Sequence, residues 1–274
     1  MTAPRSRTGL GAIAASTAGV LLLLGLWEAG HAAWGSLVLP SPRETALALW
    51  RMTVDGSLWP AVAGTGRRAL AGFSAGVLLG TGLGAVAGLS DTTGRLLQPF
   101  ATLALGVPAI AWVVLALLWF GGGGGAVVFT VLITVAPIVY AGAAEGVRSL
   151  DGDLRRMARA FRVPRRVLVW DVYLPHMLSH LFPAVATALA LSWKVAVMTE
   201  LLGGVGGIGD RLAAARAQVD TVAAMAWIAT VVALLLALEM LLLDPLRRRL
   251  LGWRQALPGA ARHGTARRDA APDL

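Results

Sequence analysis

Two charged side chains, Lys194 and Glu200, stand in an otherwise apolar stretch at 183–202. A bare charge at the centre of a membrane-spanning helix costs at least about 2.5–3.5 kcal/mol, so each must face protein, water or a counter-charge. Glu200 follows Lys194 by six positions, whereas two full helical turns take about seven, so the two are not ideal same-face partners. Together with the adjacent Trp193, these residues predict a polar path through the membrane that favours an anion. The alternative, in which Lys194 pairs with a carboxylate or with backbone carbonyls as a structural contact, remains open.

Two further patterns resemble catalytic or metal sites but fit them poorly. The segment 72–76 reads Gly-Phe-Ser-Ala-Gly, which matches the nucleophile pattern of serine hydrolases. That nucleophile, here Ser74, belongs on a turn between a strand and a helix, whereas this segment lies within an apolar stretch. His176 and His180 have an i, i+4 spacing, but no Glu stands between them and no third ligand is evident. We predict no catalytic residue and no metal site.

The chain also lacks the residues for two common kinds of chemistry. A phosphate-binding loop places a lysine directly before Ser or Thr, but Lys194 is the only lysine and Val195 follows it. Because there is no cysteine, disulfides and thiolate nucleophiles are excluded. We therefore predict no ATP hydrolysis by that route and no cofactor in this chain.

The elements that position these residues are expected to be membrane-spanning helices. Of the 274 residues 57% are hydrophobic and 14% charged, against about 45–50% and about 25% in soluble domains. A span needs about 20 mostly apolar residues, and unbroken apolar runs exclude the alternating pattern of barrel strands. The prediction is an all-α polytopic membrane protein with about six transmembrane helices, at 10–27, 69–89, 100–120, 126–144, 183–202 and 222–243.

Arginine is distributed unevenly between alternate loops. If the N-terminus is cytoplasmic, the inside segments hold 17 arginines and the outside segments six, so the positive-inside rule places both termini in the cytoplasm. Arg67 and Arg68 fit this pattern least well and are assigned to an interfacial helix before the second span. The expected organisation is an N-terminal anchor span with an external segment at 1–68, a core at 69–250, and a disordered cytoplasmic tail at 251–274.

The second expected span carries a glycine at every fourth position. Such a stripe lies along one helix face and lets another helix approach closely, because no side chain separates the two backbones. We predict a helix-packing role for Gly72, Gly76, Gly80, Gly84 and Gly88.

One long polar insertion, at about 145–181, falls on the cytoplasmic side of this topology. Its first part has the spacing of a short amphipathic helix, and Pro164 then interrupts it before a second helical segment that ends at Leu174-Pro175. A basic helix lying on anionic lipid would also fit. The apolar face of the first part comprises Leu154, Met157, Ala158 and Phe161, and the opposite face comprises Arg155, Arg156, Arg159 and Arg162.

This order of features resembles the inner-membrane permease subunit of bacterial ABC importers, and within it the nitrate, sulfonate, taurine and bicarbonate branch. The resemblance covers about residues 36–250. Two positions of the loop depart from the family pattern: Arg156 stands where the motif has its glutamate, and Arg162 where it has its glycine. The segments that carry the resemblance are Leu39-Pro40-Ser41-Pro42, Leu118-Trp119-Phe120-Gly121, Ala158-Arg159-Ala160-Phe161, Leu174-Pro175, Glu200-Leu201-Leu202 and Gly207-Ile208-Gly209.

The resemblance implies a transport subunit of the plasma (inner) membrane and not an enzyme. The loop would be a coupling helix that docks into a separate ATPase subunit, present in two copies by the family's architecture, and ATP and Mg would bind to that partner. A second permease copy, forming a homodimer, an extracytoplasmic substrate-binding protein and membrane lipid are the other implied partners, with no role for nucleic acid. The implied solute is small: an anion, a sulfonate or a thiamine-precursor-like compound.

Two other classes of protein remain as alternatives. An ion-coupled secondary transporter would use intramembrane carboxylates, for which Glu200 and Glu239 are the candidates. An intramembrane serine hydrolase would rest on Ser74 alone.

Overall fold

The computed structural model describes residues 10–149, 157, 160–161, 163–167, 170, 174–243 and 245. Within these residues the ordered secondary structure is helical, as the sequence predicts, and no strand occurs. In chain order the helices are α1 (Leu10–Trp34), α2 (Pro42–Val54), α3 (Leu58–Leu89), α4 (Asp91–Gly106), α5 (Ala109–Phe120), α6 (Gly124–Arg148), the short α7 (Arg165–Val167), α8 (Leu174–Gly203), α9 (Ile208–Ala217) and α10 (Thr221–Leu238), which continues as a π-helical turn (Glu239–Leu243).

Four stretches are long and apolar enough to cross a membrane: Leu58–Leu89, Gly124–Arg148, His176–Gly203 and Thr221–Leu241. A fifth crossing is possible if the bent pair formed by α4 and α5 is counted as one span. These stretches correspond to five of the six expected spans. The first expected span, 10–27, lies in α1, which is a helix but is not among these candidates.

The third expected span, 100–120, is not one continuous helix. α4 ends at Gly106, and α5 begins only at Ala109, after Val107 and Pro108. Pro108 has no backbone N–H, and its ring disfavours helical geometry at the preceding residue. The apolar stretch that was expected to form a single span is therefore interrupted at Val107 and Pro108.

The second expected span begins earlier than its apolar stretch suggests. α3 runs without interruption from Leu58 for 32 residues, a length of about 48 Å at 1.5 Å per residue. Arg67 and Arg68 therefore belong to the same helix as the glycine stripe, and the separate interfacial helix expected for them is not found. Hydropathy marks where lipid ends, but a helix continues past that point wherever its backbone stays paired.

Two compact units can be distinguished along the chain. The first comprises Met1–Ala75, Val107–Thr134 and Leu191–Leu235 in its described parts, and the second comprises Gly76–Gly106, Val135–Ala190 and Leu236–Leu274 likewise. A buried apolar cluster forms the core of the first unit. It consists of Ala61, Val197, Ile208, Ala215 and Trp227, with Met52 and Trp193 among the residues packed against it.

Close helix contacts through glycine organise the second unit. An added Cβ at Gly80 would lie 2.5 Å from the carbonyl oxygen of Ala136, and one at Gly84 would lie 2.5 Å from that of Tyr140. Both acceptors belong to α6, so the α3 backbone rests directly on its neighbour. At Gly88 the added atom would lie 2.5 Å from Cβ of Val147.

The same packing occurs in the first unit at Gly72. There an added Cβ would lie 2.6 Å from the carbonyl oxygen of Val128, again on α6. Gly76 is buried in the same helix.

Candidate functional site

A buried carboxylate joins three helices of the first unit. Glu200, near the end of α8, is fully buried, and the guanidinium of Arg68 on α3 lies against it with only 17% of its side chain exposed. The Arg68 Nη2–Glu200 Oε1 distance is 2.5 Å, and Arg68 Nε donates to the same oxygen at 3.0 Å. Arg68 Nη2 also donates to the carbonyl of Gly206. We call Thr65, Arg68, Glu200, Gly206, Ile208 and Gly209 the Glu200 cluster.

The second carboxylate oxygen is occupied as well. Glu200 Oε2 accepts the hydroxyl of Thr65 at 2.7 Å and the backbone N–H of Gly209 at 3.2 Å. The carboxylate thus receives four hydrogen bonds. A buried charge is tolerated in a protein when it is paired and its remaining lone pairs are satisfied, and both conditions hold here.

The Glu200 cluster also caps the start of α9. The first backbone N–H groups of a helix have no partner inside it, and Gly207, the residue at the cap position, supplies no side chain. Instead Thr65 accepts the N–H of Ile208 at 2.9 Å, and Glu200 accepts that of Gly209. A negative carboxylate is electrostatically favourable at this positive end of the helix dipole.

In this arrangement a side chain would not fit at either glycine of the Gly207-Ile208-Gly209 motif. Gly207 has φ +147°, a region that side chains rarely adopt, and an added Cβ would lie 2.5 Å from Glu200 Oε2. An added Cβ at Gly209 would lie 2.6 Å from the backbone nitrogen of Leu201. Both glycines therefore let the backbone approach the carboxylate and the end of α8.

The sequence pointed to Glu200 but missed Thr65 and Arg68. Arg68 lies 132 positions away in the chain, so no helical spacing rule connects the two. One signal was present: Arg67 and Arg68 did not fit the arginine distribution, and an intramembrane glutamate requires a partner. The side chain of Glu200 is thus held within the fold by Arg68 and Thr65, and its place on a polar path stays a prediction.

Trp193 and Lys194 differ sharply in their surroundings. Trp193 packs against the apolar core of the first unit, and its ring lies 3.7 Å from the position of an added Cβ at Gly66. Its indole N–H is buried and has no partner in the described part of the chain. Lys194 is exposed, and among the described residues it makes no hydrogen bond or ion pair.

The insertion at 145–181 is described only in part. Met157 and Phe161 are 55% and 77% exposed, and the Phe161 N–H donates to the Met157 carbonyl at 3.0 Å, the i, i+4 bond of a helical turn. Pro164 immediately precedes the short α7, where its missing N–H costs nothing. Leu174 begins α8 and is partly buried, with Pro175 the second residue of that helix. Leu154, Arg155, Arg156, Ala158, Arg159 and Arg162 lie outside the described residues.

Neither Ser74 nor the pair His176 and His180 is arranged as a catalytic or metal site among the described residues. Ser74 is an exposed residue inside α3, not on a turn between a strand and a helix. His176 lies 3.1 Å from the hydroxyl of Ser149, and its ring centroid is 5.1 Å from that of His180. No group of three or more metal-ligating side chains occurs in the described residues.

Comparison with known proteins decides the family. Residues 76–251 match the binding-protein-dependent transport system inner membrane component. The chain belongs to this permease family. Its matched part includes Glu200 and the Gly207-Ile208-Gly209 motif, whereas Thr65 and Arg68 precede it.

Three relatives illustrate the family's range. The SsuC protein of Escherichia coli (strain K12), whose name describes an aliphatic sulfonates transport permease, is 33% identical over 68% of this chain and 72% of its own length. The taurine transport system permease TauC of the same strain is 30% identical over 79% and 80%. The riboflavin transport system permease RibX of Chloroflexus aurantiacus is 32% identical over 85% and 88%.

The resemblance seen in the sequence is thereby confirmed. The chain is a permease of the nitrate, sulfonate, taurine and bicarbonate branch of ABC importers, and it is a multi-pass inner-membrane protein. Like its relatives, it is the transmembrane permease subunit of an ATP-driven importer for a small solute.

Proposed function

We propose that this permease carries a small anion along a path that includes Lys194. The observation that carries the proposal is the state of this side chain: it is exposed and unpaired among the described residues, yet it lies within the candidate span His176–Gly203. An ammonium group cannot remain against lipid without a cost of at least about 2.5–3.5 kcal/mol. It therefore faces water or a second protein surface.

The carboxylate expected as its structural partner is already engaged. Glu200 is held by Arg68 and by two further donors, so a Lys194–Glu200 ion pair does not form within the chain. This supports the path over the structural alternative. Trp193, the residue before Lys194, packs against the apolar core of the first unit. It thereby holds α8 in the position that presents Lys194.

The solute class follows from the charge. A lone ammonium that faces a path through the membrane attracts an anion and repels a cation, which suits a small oxyanion or a sulfonate better than a thiamine-precursor-like compound. Of the three relatives described above, one is named for aliphatic sulfonates, one for taurine and one for riboflavin. We place this chain with the anion carriers.

The driving force comes from other subunits in this proposal. Two copies of a separate ATPase bind ATP and Mg and dock on the loop at 145–181, and two copies of this chain form the pathway. An extracytoplasmic binding protein delivers the solute at the opposite face. The family description supports dependence on a binding protein, and the exposed Met157 and Phe161 support a docking surface on the loop.

The proposal is tested at Lys194 in the assembled transporter. We expect Lys194→Gln to lower the uptake of a transported anion at least about tenfold, because the attraction for the anion is removed. An alkanesulfonate, bicarbonate and nitrate serve as anionic probes, taurine serves as a zwitterion that carries a sulfonate, and riboflavin is the comparison.

The matched control is Lys194→Arg, which keeps the charge and should retain most of the uptake. Both variants must be present in the membrane at the wild-type level. Equal loss of uptake and of folded protein in the Gln variant would support the structural alternative, and riboflavin transport without any anion transport would overturn the assigned solute class.

A further inference from the structure

The helix α2 presents a face that no other part of the described chain covers. Leu47, Trp50 and Val54 follow the i, i+3, i+7 spacing of one helix face, and they are 47%, 68% and 69% exposed. Arg43 and Arg51 lie on the same side, are exposed, and form no ion pair with described residues. This segment precedes the residues that match the family, 76–251.

The opposite face of α2 is firmly held. Thr45 is buried, and Met52 packs against the core of the first unit. At the helix start, Ser41 and Glu44 form a reciprocal capping box, in which the Ser41 N–H donates to Glu44 at 2.8 Å and the Glu44 N–H donates to Ser41 at 3.1 Å. The bond from the Ser41 N–H lowers the pKa of the Glu44 carboxyl, which favours the charged cap. The exposed face is therefore presented by an ordered helix.

The depth of α2 is indicated by its connection to the start of α10. The Thr221 hydroxyl, at the first residue of the span Thr221–Leu241, donates to the Ser36 carbonyl at 2.9 Å just before α2. After α2, the chain enters the span Leu58–Leu89 within four residues. The Thr221 contact brings the segment before α2 to the level at which α10 leaves the hydrocarbon, and the four-residue connection keeps α2 next to the polar first turns of α3.

The side chains on this face match the chemistry of that level. Tryptophan is enriched where a membrane meets water, because its ring is apolar and its N–H is polar. Arginine extends its charged end to lipid phosphates while its stem stays among apolar groups. Two further exposed tryptophans flank the helix, Trp34 before it and Trp59 after it.

We propose that α2 lies in the headgroup layer of the bilayer, with Leu47, Trp50 and Val54 in the acyl boundary and Arg43 and Arg51 on lipid phosphates. The occupant of this face is phospholipid, since the apolar face, the interfacial tryptophans and the unpaired cations are all complementary to it. α2 is then an interfacial anchor that holds the end of α3 at a fixed depth.

The absence of cysteine in the wild-type chain makes a direct test possible. Single cysteines replace Leu47, Trp50 or Val54 in the full chain, which is assembled with its partner subunits in vesicles of phosphatidylethanolamine and phosphatidylglycerol and labelled with an environment-sensitive fluorophore. Quenching by lipids that carry a nitroxide near the headgroup is compared with quenching by aqueous iodide. The control label replaces Gln218, an exposed residue at the end of α9.

We expect the ratio of lipid quenching to iodide quenching to be at least about threefold higher at the three α2 positions than at the control. Iodide quenching equal to that of the control would place the face in water, available to a binding protein, and would overturn the proposal. Protection from both quenchers would show that protein covers it, which would also overturn it. Because the three positions are exposed, a variant that fails to insert leaves the other two to decide.

Discussion

At the residue scale, Glu200 illustrates how one charged group can organise a membrane protein. Three of its four hydrogen bonds come from Thr65 and Arg68 on α3, and the fourth comes from the backbone of Gly209 in the first turn of α9. A carboxylate so enclosed leaves little room for a bound sodium ion, because a guanidinium, a hydroxyl and a backbone N–H already occupy its two oxygens. This geometry argues against the ion-coupled alternative, for which Glu200 was one of two candidate carboxylates.

The ion pair should show strong coupling between its two members. Either Arg68→Gln or Glu200→Gln leaves one buried charge without its partner, and we expect each to lower the free energy of unfolding by about 3–5 kcal/mol. The double variant removes both charges and should be less destabilised than the sum of the two single variants. Thermal unfolding of the purified chain in detergent measures all three. Additive effects would contradict the pairing of these side chains.

The sequence could indicate that Glu200 needs a partner but not which one. The reason is physical: the contact joins helices that are distant in the chain, and only tertiary packing brings Arg68 to it. Lys194 was the nearer cation in sequence, and its six-residue spacing from Glu200 already disfavoured it as the partner, but no spacing rule pointed to Arg68 instead.

At the scale of elements, glycine determines how closely α3 and α6 approach. The four-residue spacing of glycines was readable in the sequence because a helix face repeats at that interval. The identity of the partner helix was not readable, since any helix can lie against such a face. The break at Pro108 was also readable in principle, but the apolar composition on both sides of it outweighed a single proline.

A pair of glycines in α3 offers a matched test of this packing. We expect Gly84→Ala to destabilise the protein, because its Cβ would lie 2.5 Å from the Tyr140 carbonyl oxygen. Gly82→Ala is the control: nothing lies within 4 Å of its added Cβ, and alanine favours a helix by up to about 1 kcal/mol over glycine. The melting temperature should fall in the first variant and stay equal or rise in the second. The reverse order would show that the close contact does not exist.

The loop at 145–181 makes a prediction about subunit association. Phe161→Asp places a charge on an exposed apolar side chain, and we expect it to reduce copurification of the ATPase subunit at least about tenfold. Val219→Asp is the control, since Val219 is an exposed apolar residue between α9 and α10. Unchanged association of the Phe161 variant would overturn the docking role proposed for the loop.

At the scale of the whole molecule, the fold class and the topology were predicted mainly from the composition and the arginine distribution. An all-helical membrane protein followed from how little charge the chain has, and the family resemblance followed from motif order. The topology with both termini in the cytoplasm remains a prediction, supported by 17 arginines in one set of segments against six in the other.

The family membership is consistent with a chain that works together with other subunits. If this permease binds no nucleotide of its own, as we propose, it moves only when a partner changes its preferred state, because a conformational equilibrium shifts only through differential binding to the two states. In our account the ATPase supplies that difference at the loop, and Lys194 and its surroundings supply selectivity.

Solute accumulation in reconstituted vesicles tests this account most directly. The purified chain is incorporated alone, with its ATPase, and with both the ATPase and the binding protein, and uptake of a labelled anion is followed with ATP supplied on the cytoplasmic side. We predict accumulation against the concentration gradient only when the ATPase and the binding protein are both present. Comparable accumulation by the chain alone would contradict the account.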